Sequence, residues 1–446
     1  MESQKLSFKE KLGFGVCDLG GNALFTIMAF WLMNYLTDQV GLSPRLAGVA
    51  LMIGRVWDAA ADPAMGLISD RTRSRFGRRR PYIFLGGILV FLTMILMFTN
   101  PKITDQHLLF WWATIAYTLL CFSYTVFNIP YSALTPELTT DYHERTVLNG
   151  YRMTFAVIGT LIGAGGVLPF LHLFQSTNQG YSWMGACFGF LIMVVCWITF
   201  FSIREPHHEV NFSPTGIISS YCAAFKNTPF LLILFPWVFN MTATTIVSGT
   251  LIYYFKFIYH AGEMTTMALL LLLGSAMIFI PVWVLISKPI GKKNCYAIGL
   301  FLIALVCLIF FFYGHRFGLR FAFGMMILAG MGLATTYVIP WSLIPDTVEY
   351  DYAQTGERRE GIYYGIWTFA SKVGQAFAAF IMGSILQMFH YMPGQAYQVN
   401  QTQLGIRLLF GPIPAGIFMI GALIVLFYPI SEQRYREILK AQKNQD

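Results

Sequence analysis

The chain has 446 residues, of which 56% are apolar and only 12% charged, about half the charged share of an ordinary soluble domain. Its mean hydropathy is +0.57. One or two soluble domains cannot hide that much apolar side chain from water, so a hydrocarbon solvent is expected and the secreted, disordered and nucleic-acid-binding classes fall away. The net charge of +8 takes its meaning from where the cations lie.

In chain order, the first dozen residues are polar and lack the apolar core and small-residue cleavage site of a signal peptide, so the N-terminus is expected to be retained. Spans are predicted at about 12–36, 46–69, 81–100, 107–134, 147–172 and 182–203, by the roughly 20-residue length a bilayer requires. A polar stretch over about 204–229 reads as a linker between halves. Six more spans follow at about 230–259, 264–286, 294–314, 317–345, 362–389 and 404–430, with a tail over 431–446. Of the 30 Lys and Arg, 21 fall in the terminal and even-numbered connections, five in the opposite connections and four inside spans. That asymmetry predicts both termini in the cytoplasm of a multi-pass protein of the bacterial inner membrane. The positive charge then describes topology, and no nucleic-acid partner is expected.

The seven Cys form no C-x-x-C pair and read as small buried hydrophobes. No two His have the spacing of a zinc helix, and no Walker A sequence is present, which argues against an ATP-driven pump. Neither a cofactor nor a resident metal is expected.

An internal repeat is legible. Ile129-Pro130-Tyr131-Ser132 followed by Leu134-Thr135-Pro136-Glu137 matches Ile339-Pro340-Trp341-Ser342 followed by Leu343-Ile344-Pro345-Asp346. Downstream, Gly150 with Thr154-Phe155-Ala156 matches Gly365 with Thr368-Phe369-Ala370. Six spans and six spans, both halves starting on the same side, predict parallel repeats about an axis normal to the membrane. This is the major facilitator fold: an all-α membrane protein of twelve transmembrane helices in two six-helix halves, residues 1–203 and 230–430, with a substrate site between them.

Ionisable groups inside spans cost about 2.5–3.5 kcal/mol each on insertion scales, so each needs a partner or a task. Asp18, Arg55, Asp58, Asp62, Arg152, Lys372 and Arg407 are the ones present. Asp58 and Asp62 are four residues apart and share one helix face. Two carboxylates there repel unless a cation lies between them or one is protonated. They therefore suit a coupling cation, Na⁺ held by oxygens or H⁺ held by one acid. The plainer alternative is a static ion-pair network with Arg152 and Lys372. Arg55 and Arg407 are expected to snorkel from span ends.

The loop Asp70 to Arg80 holds six arginines, among them Arg78 and Arg79. It reads as an anchor to anionic membrane lipid and as a latch at the inner face. Its partner in the second half is expected in the stretch from Asp346 through Glu349 and Asp351 to Glu357-Arg358-Arg359-Glu360. Gly159-x-x-x-Gly163 predicts a close helix approach.

Trp57-Asp58-Ala59-Ala60-Ala61-Asp62-Pro63, the Arg-rich loop, Tyr131-Ser132-Ala133-Leu134-Thr135-Pro136-Glu137 and Pro345-Asp346-Thr347-Val348-Glu349-Tyr350-Asp351 resemble the glycoside–pentoside–hexuronide:cation symporter family. The resemblance runs through nearly the whole chain. It implies H⁺- or Na⁺-coupled symport of a sugar-like solute by alternating access, with Asp58, Asp62 and Thr125 holding the cation. Ala61 stands where the family's melibiose-carrying pattern has an asparagine, which favours H⁺. The resemblance also implies a solute pocket of Asp18, Tyr124, Asn128, Arg152, Tyr337, Thr368 and Lys372. Asn128 replaces a sugar-binding aspartate, so the pocket is expected to be more positive and to favour an anionic solute such as a hexuronide. A monomer suffices, and no enzyme is expected. The competing readings are a carrier of lysophospholipid-like amphiphiles, whose vertebrate members share the W-D-A-A-x-D-P arrangement, and a transport-dead membrane sensor.

Overall fold

The computed structural model describes residues 6–139, 142–205, 224–355, 359–395, 397–430 and 433. Among them every regular element is helical. Backbone polar groups in hydrocarbon have no water to bond, so a spanning segment must satisfy them within itself, as a helix does. The first six long helices are α1 Phe8–Phe30, α2 Pro44–Arg71, α3 Arg80–Phe98, α4 Gln106–Leu138, α5 Tyr142–Gly165 and α6 Thr177–Ser202. The second six are α7 Thr228–Phe257, α8 Thr265–Ile290, α9 Lys292–Gly314, α10 Leu319–Thr355, α11 Glu360–Met388 and α12 Asn400–Leu426.

Helix starts follow ordinary capping chemistry. Ser7 and Glu10 form a capping box on α1, and the side chains of Asp105 and Asn227 accept from the first-turn N–H groups of α4 and α7. Pro44 and Pro229 sit at first-turn positions where no amide hydrogen is needed. Ten of these helices are long and apolar enough to cross a membrane. The other two, α2 and α5, carry Arg55, Asp58, Asp62 and Arg152. These charges lower the mean hydropathy of α2 and α5 below that of the other ten.

The chain divides into two compact units: Met1–Val210 with Met382–Gln398, and Asn211–Ile381 with Val399–Asp446. Corresponding helices pack alike inside each unit. The second packs on the fourth, the third on the fourth and the third on the sixth, in α1–α6 and again in α7–α12. A cut at the linker alone does not describe the units, because the end of α11 and the connection after it pack with the first six helices. There Tyr391 Oη donates to Asp38 Oδ1 at 2.5 Å, beside a π-helical turn over Tyr35–Gln39.

Close approach of α5 to α1 depends on Gly159 and Gly163. A Cβ at either would collide with the carbonyl of Leu19 or Ala23, so the G-x-x-x-G spacing is a packing device. Among the described cysteines Cys187 is exposed and the others are buried, which corrects the expectation for that one residue. Residues 206–223, most of the tail, Glu357 and Arg358 lie outside the described residues.

Candidate functional site

Four residues per 3.6-residue turn bring Asp58 and Asp62 to the same side of α2, where α4 presents Thr125. The Thr125 hydroxyl lies 2.7 Å from Asp58 Oδ1 and 3.1 Å from Asp62 Oδ1. It has one hydrogen and can donate to one acid at a time. Asp58 is fully buried (0% exposed), and its second oxygen meets Arg55 Nη1 at 3.3 Å. Arg55 is 7% exposed, with its guanidinium 5.5 Å from the Phe25 ring centroid. Contrary to the expectation from sequence, it does not snorkel. A cation and an anion three residues apart on one helix neutralise each other where neither can reach water. With both acids ionised, Arg55, Asp58 and Asp62 carry a net charge of −1, which one monovalent cation cancels.

A second charged cluster joins α1, α4 and α5. Arg152 Nε donates to Asp18 Oδ2 at 2.7 Å and Nη2 to Asp18 Oδ1 at 3.3 Å. This is the two-pronged geometry that makes Arg–carboxylate pairs strong. Tyr131 Oη donates to the same Oδ2 at 2.6 Å, and Arg152 Nη1 donates to Thr135 Oγ1 at 2.7 Å. The guanidinium also covers the Tyr131 ring at 4.8 Å. Arg152 therefore spends its charge on Asp18 within the first unit. Asp18 and Arg152, both expected in the solute pocket, are thus each other's ion-pair partners.

The remaining expected pocket residues divide between units. Tyr124 and Asn128 are half-buried, one turn apart on α4, and the Tyr124 ring packs edge-on against Phe127 at 5.3 Å. Tyr337 on α10 is 51% exposed. Thr368 on α11 gives its hydroxyl hydrogen to the Tyr364 carbonyl at 3.0 Å, and Lys372, one turn on, is half-buried.

The expected latch residues form two clusters, each within its own unit. Asp70 accepts from Arg79 Nη2 at 2.6 Å. Arg79 also donates to the Ala133 carbonyl and lies 3.0 Å from Glu137. Arg78 reaches Glu137 at 2.7 Å and Glu205 at 3.5 Å. In the second unit Asp346 takes Lys292 at 2.7 Å, and the same ammonium donates to the Ser342 carbonyl at 2.9 Å. Asp351 meets Arg359 at 3.5 Å, and Glu349 is half-buried on α10.

Sequence reasoning missed Tyr131 and Thr135 as ligands of Arg152, and Glu137, Glu205 and Lys292 as latch partners. Arg55 had a usable signal, its three-residue spacing from Asp58. The others are brought in from distant helices and had none, although Tyr131 and Glu137 stood in the repeat.

The chain matches a family model described as MFS/sugar transport protein over residues 13–432. It belongs to that family. Among its relatives is a putative sulfoquinovose importer of Escherichia coli K12, 30% identical, with 98% of this chain and 94% of the relative covered. An uncharacterized symporter of Synechocystis is 28% identical over 98% of this chain and 97% of the relative. A glucuronide carrier protein homolog of E. coli K12 is also 28% identical, over 98% and 96%. Among solved structures, the nucleoside transporter NupG superposes with a TM-score of 0.66 at 15% identity, covering 94% of this chain and 98% of that one. A bacterial homolog of the human lysosomal transporter Spinster superposes with a TM-score of 0.69 at 12% identity, over 95% and 98%. These two show the major facilitator fold. As a member of the MFS/sugar transport family the protein is a membrane transporter and not an enzyme.

Proposed function

We propose that this transporter is a cation-coupled symporter that moves an anionic, sugar-like solute by alternating access. It would work as a monomer in the bacterial cytoplasmic membrane with both termini inside, within the glycoside–pentoside–hexuronide:cation branch. The observation that carries the reading is the Thr125 hydroxyl set between Asp58 and Asp62, with Arg55 on the far oxygen of Asp58. Two acids gathered with one arginine inside a span give a monovalent cation a task there.

H⁺ is the favoured ion. Asp58 Oδ1, Asp62 Oδ1 and Thr125 Oγ1 offer three converging oxygens, and Ala61 adds none. That is fewer than the oxygen shell a hard metal ion takes, whereas a proton needs a single carboxylate oxygen. Neutralising the pair then stabilises the arrangement in which the solute is held. Solute and proton would raise each other's affinity by the same factor, because coupling is one shared free energy.

An acidic sugar is the favoured solute. A sulfonated sugar and a glucuronide figure in the names of the relatives, and both carry an acid group on a sugar ring. Since Arg152 is committed to Asp18, Lys372 is the cation proposed to meet that acid, with Tyr124, Asn128, Tyr337 and Thr368 toward the ring.

The test is uptake into liposomes containing the purified protein. Labelled uronide, sulfonated sugar and neutral galactoside are supplied under an H⁺ gradient alone and then under a Na⁺ gradient alone. Accumulation of an acidic sugar driven by H⁺ is expected. Accumulation only under Na⁺ would overturn the ion, and transport of the neutral sugar alone would overturn the solute class.

A further inference from the structure

One face of α6 carries Val194, Trp197, Ile198, Phe201 and Ser202. The spacing of three, four, seven and eight residues aligns them in a single stripe. With Lys9 from the first turn of α1 they line an open groove of about 380 Å³. The stripe stays uncovered at Ile198 and Phe201, which are 41% and 70% exposed. Trp197 stacks on Phe84 of α3 at 5.0 Å and 9°, and its Nε1 is buried with no hydrogen-bond partner among the described residues. A buried donor left unmet is uncommon.

Cations collect where this groove ends. Lys9 is exposed at its mouth. Arg80 lies over the Phe200 ring at 4.8 Å, and Phe76, itself 5.7 Å from Phe200, carries Arg75 over its own ring at 4.7 Å. The nearby acids are already engaged. Glu10 is held by the Ser7 amide at 2.8 Å and hydroxyl at 2.7 Å, and Glu205 by the Arg79 amide at 2.9 Å. An apolar trough on a membrane-spanning helix that opens among cations is complementary to one kind of molecule. That molecule has an acyl chain and an anionic headgroup.

We propose that this groove binds an anionic phospholipid. One acyl chain lies along Val194, Ile198 and Phe201. The headgroup phosphate meets the Lys9 ammonium and the Ser202 hydroxyl. The site is separate from the acids on α2 and stands whether or not the transport cycle is proton-driven.

The full-length protein in detergent, given a diazirine-labelled phosphatidylglycerol and then the equivalent phosphatidylcholine, tests this by mapping the crosslinked peptides. Adducts on the peptide spanning Val194–Ser202 are expected to favour phosphatidylglycerol. Lys9→Gln, on an exposed side chain that folding does not need, should lower that adduct about fivefold, the effect of one cation near an anionic lipid. Equal adducts from the two lipids, or an adduct unchanged by Lys9→Gln, would overturn the proposal. So would displacement of phosphatidylglycerol by inorganic phosphate at equal concentration, which would make a free anion the ligand.

Discussion

Thr125 on α4 and Thr335 on α10 hold the same place in a shared T-x-x-x-I-P-aromatic-S sequence, yet their hydroxyls do different work. Thr125 faces the two acids of α2, whereas Thr335 gives its hydrogen to the Gly332 carbonyl of its own helix at 2.8 Å. The cause lies on the neighbouring helix. Counting back from the prolines of Pro63-x-x-x-Leu67-Ile68-Ser69 and Pro281-x-x-x-Leu285-Ile286-Ser287, Asp62, Asp58 and Arg55 correspond to Ile280, Ala276 and Leu273. The second unit keeps the helix, the internal proline and the threonine but has none of the three charges.

The junction of the first, fourth and fifth helices of each half repeats the contrast. In the first unit Asp18, Tyr131 and Arg152 bind one another through charge and hydrogen bonds. In the second, Trp237, Trp341 and Trp367 from α7, α10 and α11 form an aromatic cluster. Trp237 and Trp367 are stacked at 4.9 Å, and Trp341 stands edge-on to both at 6.0 and 6.3 Å. One architecture thus accepts either a polar or an apolar lock at the same place. Only the charged helix ends stay alike: Glu137 takes Arg78 and Arg79, and its repeat counterpart Asp346 takes Lys292.

If the coupling chemistry belongs to α2 alone, the largest effect comes from Asp58. Asp58→Asn is expected to abolish uphill accumulation in liposomes while solute exchange across the membrane continues. Concentrative uptake surviving in that variant would refute the assignment. Asp58→Ala should in addition destabilise the purified protein by about 3–5 kcal/mol, because it strands the Arg55 charge in the interior.

The two three-helix locks are separable by double-mutant cycles read as thermal unfolding. Arg152→Ala should cost about 3–5 kcal/mol by leaving Asp18 unpaired, and adding Asp18→Ala should recover part of that loss. Trp367→Ala should cost about 3–5 kcal/mol by opening a cavity, and adding Trp237→Ala should recover none. Equal recovery in both cycles would mean that the polar lock is held by packing rather than by charge.

The smallest effects test the two threonines. Thr125→Val removes a hydroxyl bonded to a charged group, a loss of about 1.5–3 kcal/mol. Because the lost donor stabilised the ionised acid, the proton concentration for half-maximal uptake should fall at least about tenfold; a rise would point to a metal ion that had used the hydroxyl as a ligand. Thr335→Val should leave that concentration unchanged and cost less than about 1 kcal/mol in stability. A similar shift from both would break the proposed difference between the halves.

The all-α membrane class was readable from composition, and the pairing of Asp58 with Asp62 from a four-residue interval, because helix periodicity is a local property. Arg55 was visible and misjudged. Its distance from the span end suggested water within reach, but the interior packs around it and Asp58 answers its charge. Arg152 was legible as an ion in need of a partner, though not which partner. A residue on α5 can face several helices, and no spacing along the chain distinguishes Asp18 on α1 from an acid on α2. For Asp70 the sequence offered several arginines of its own loop, and Arg79 nine residues downstream is the one that geometry brings close.

By itself the amino-acid sequence determined the solvent in which the protein lives, the helical spans, the repeat and the buried charges that need an explanation. These follow from free energies of single side chains and from periodicities of a few residues. Only the tertiary structure decided which charge answers which, and that Met382–Gln398 packs with the first unit. A buried ion chooses its partner by distance across packed helices, where a few ångströms in low dielectric separate a strong pair from no interaction. Chain order carries no measure of that distance.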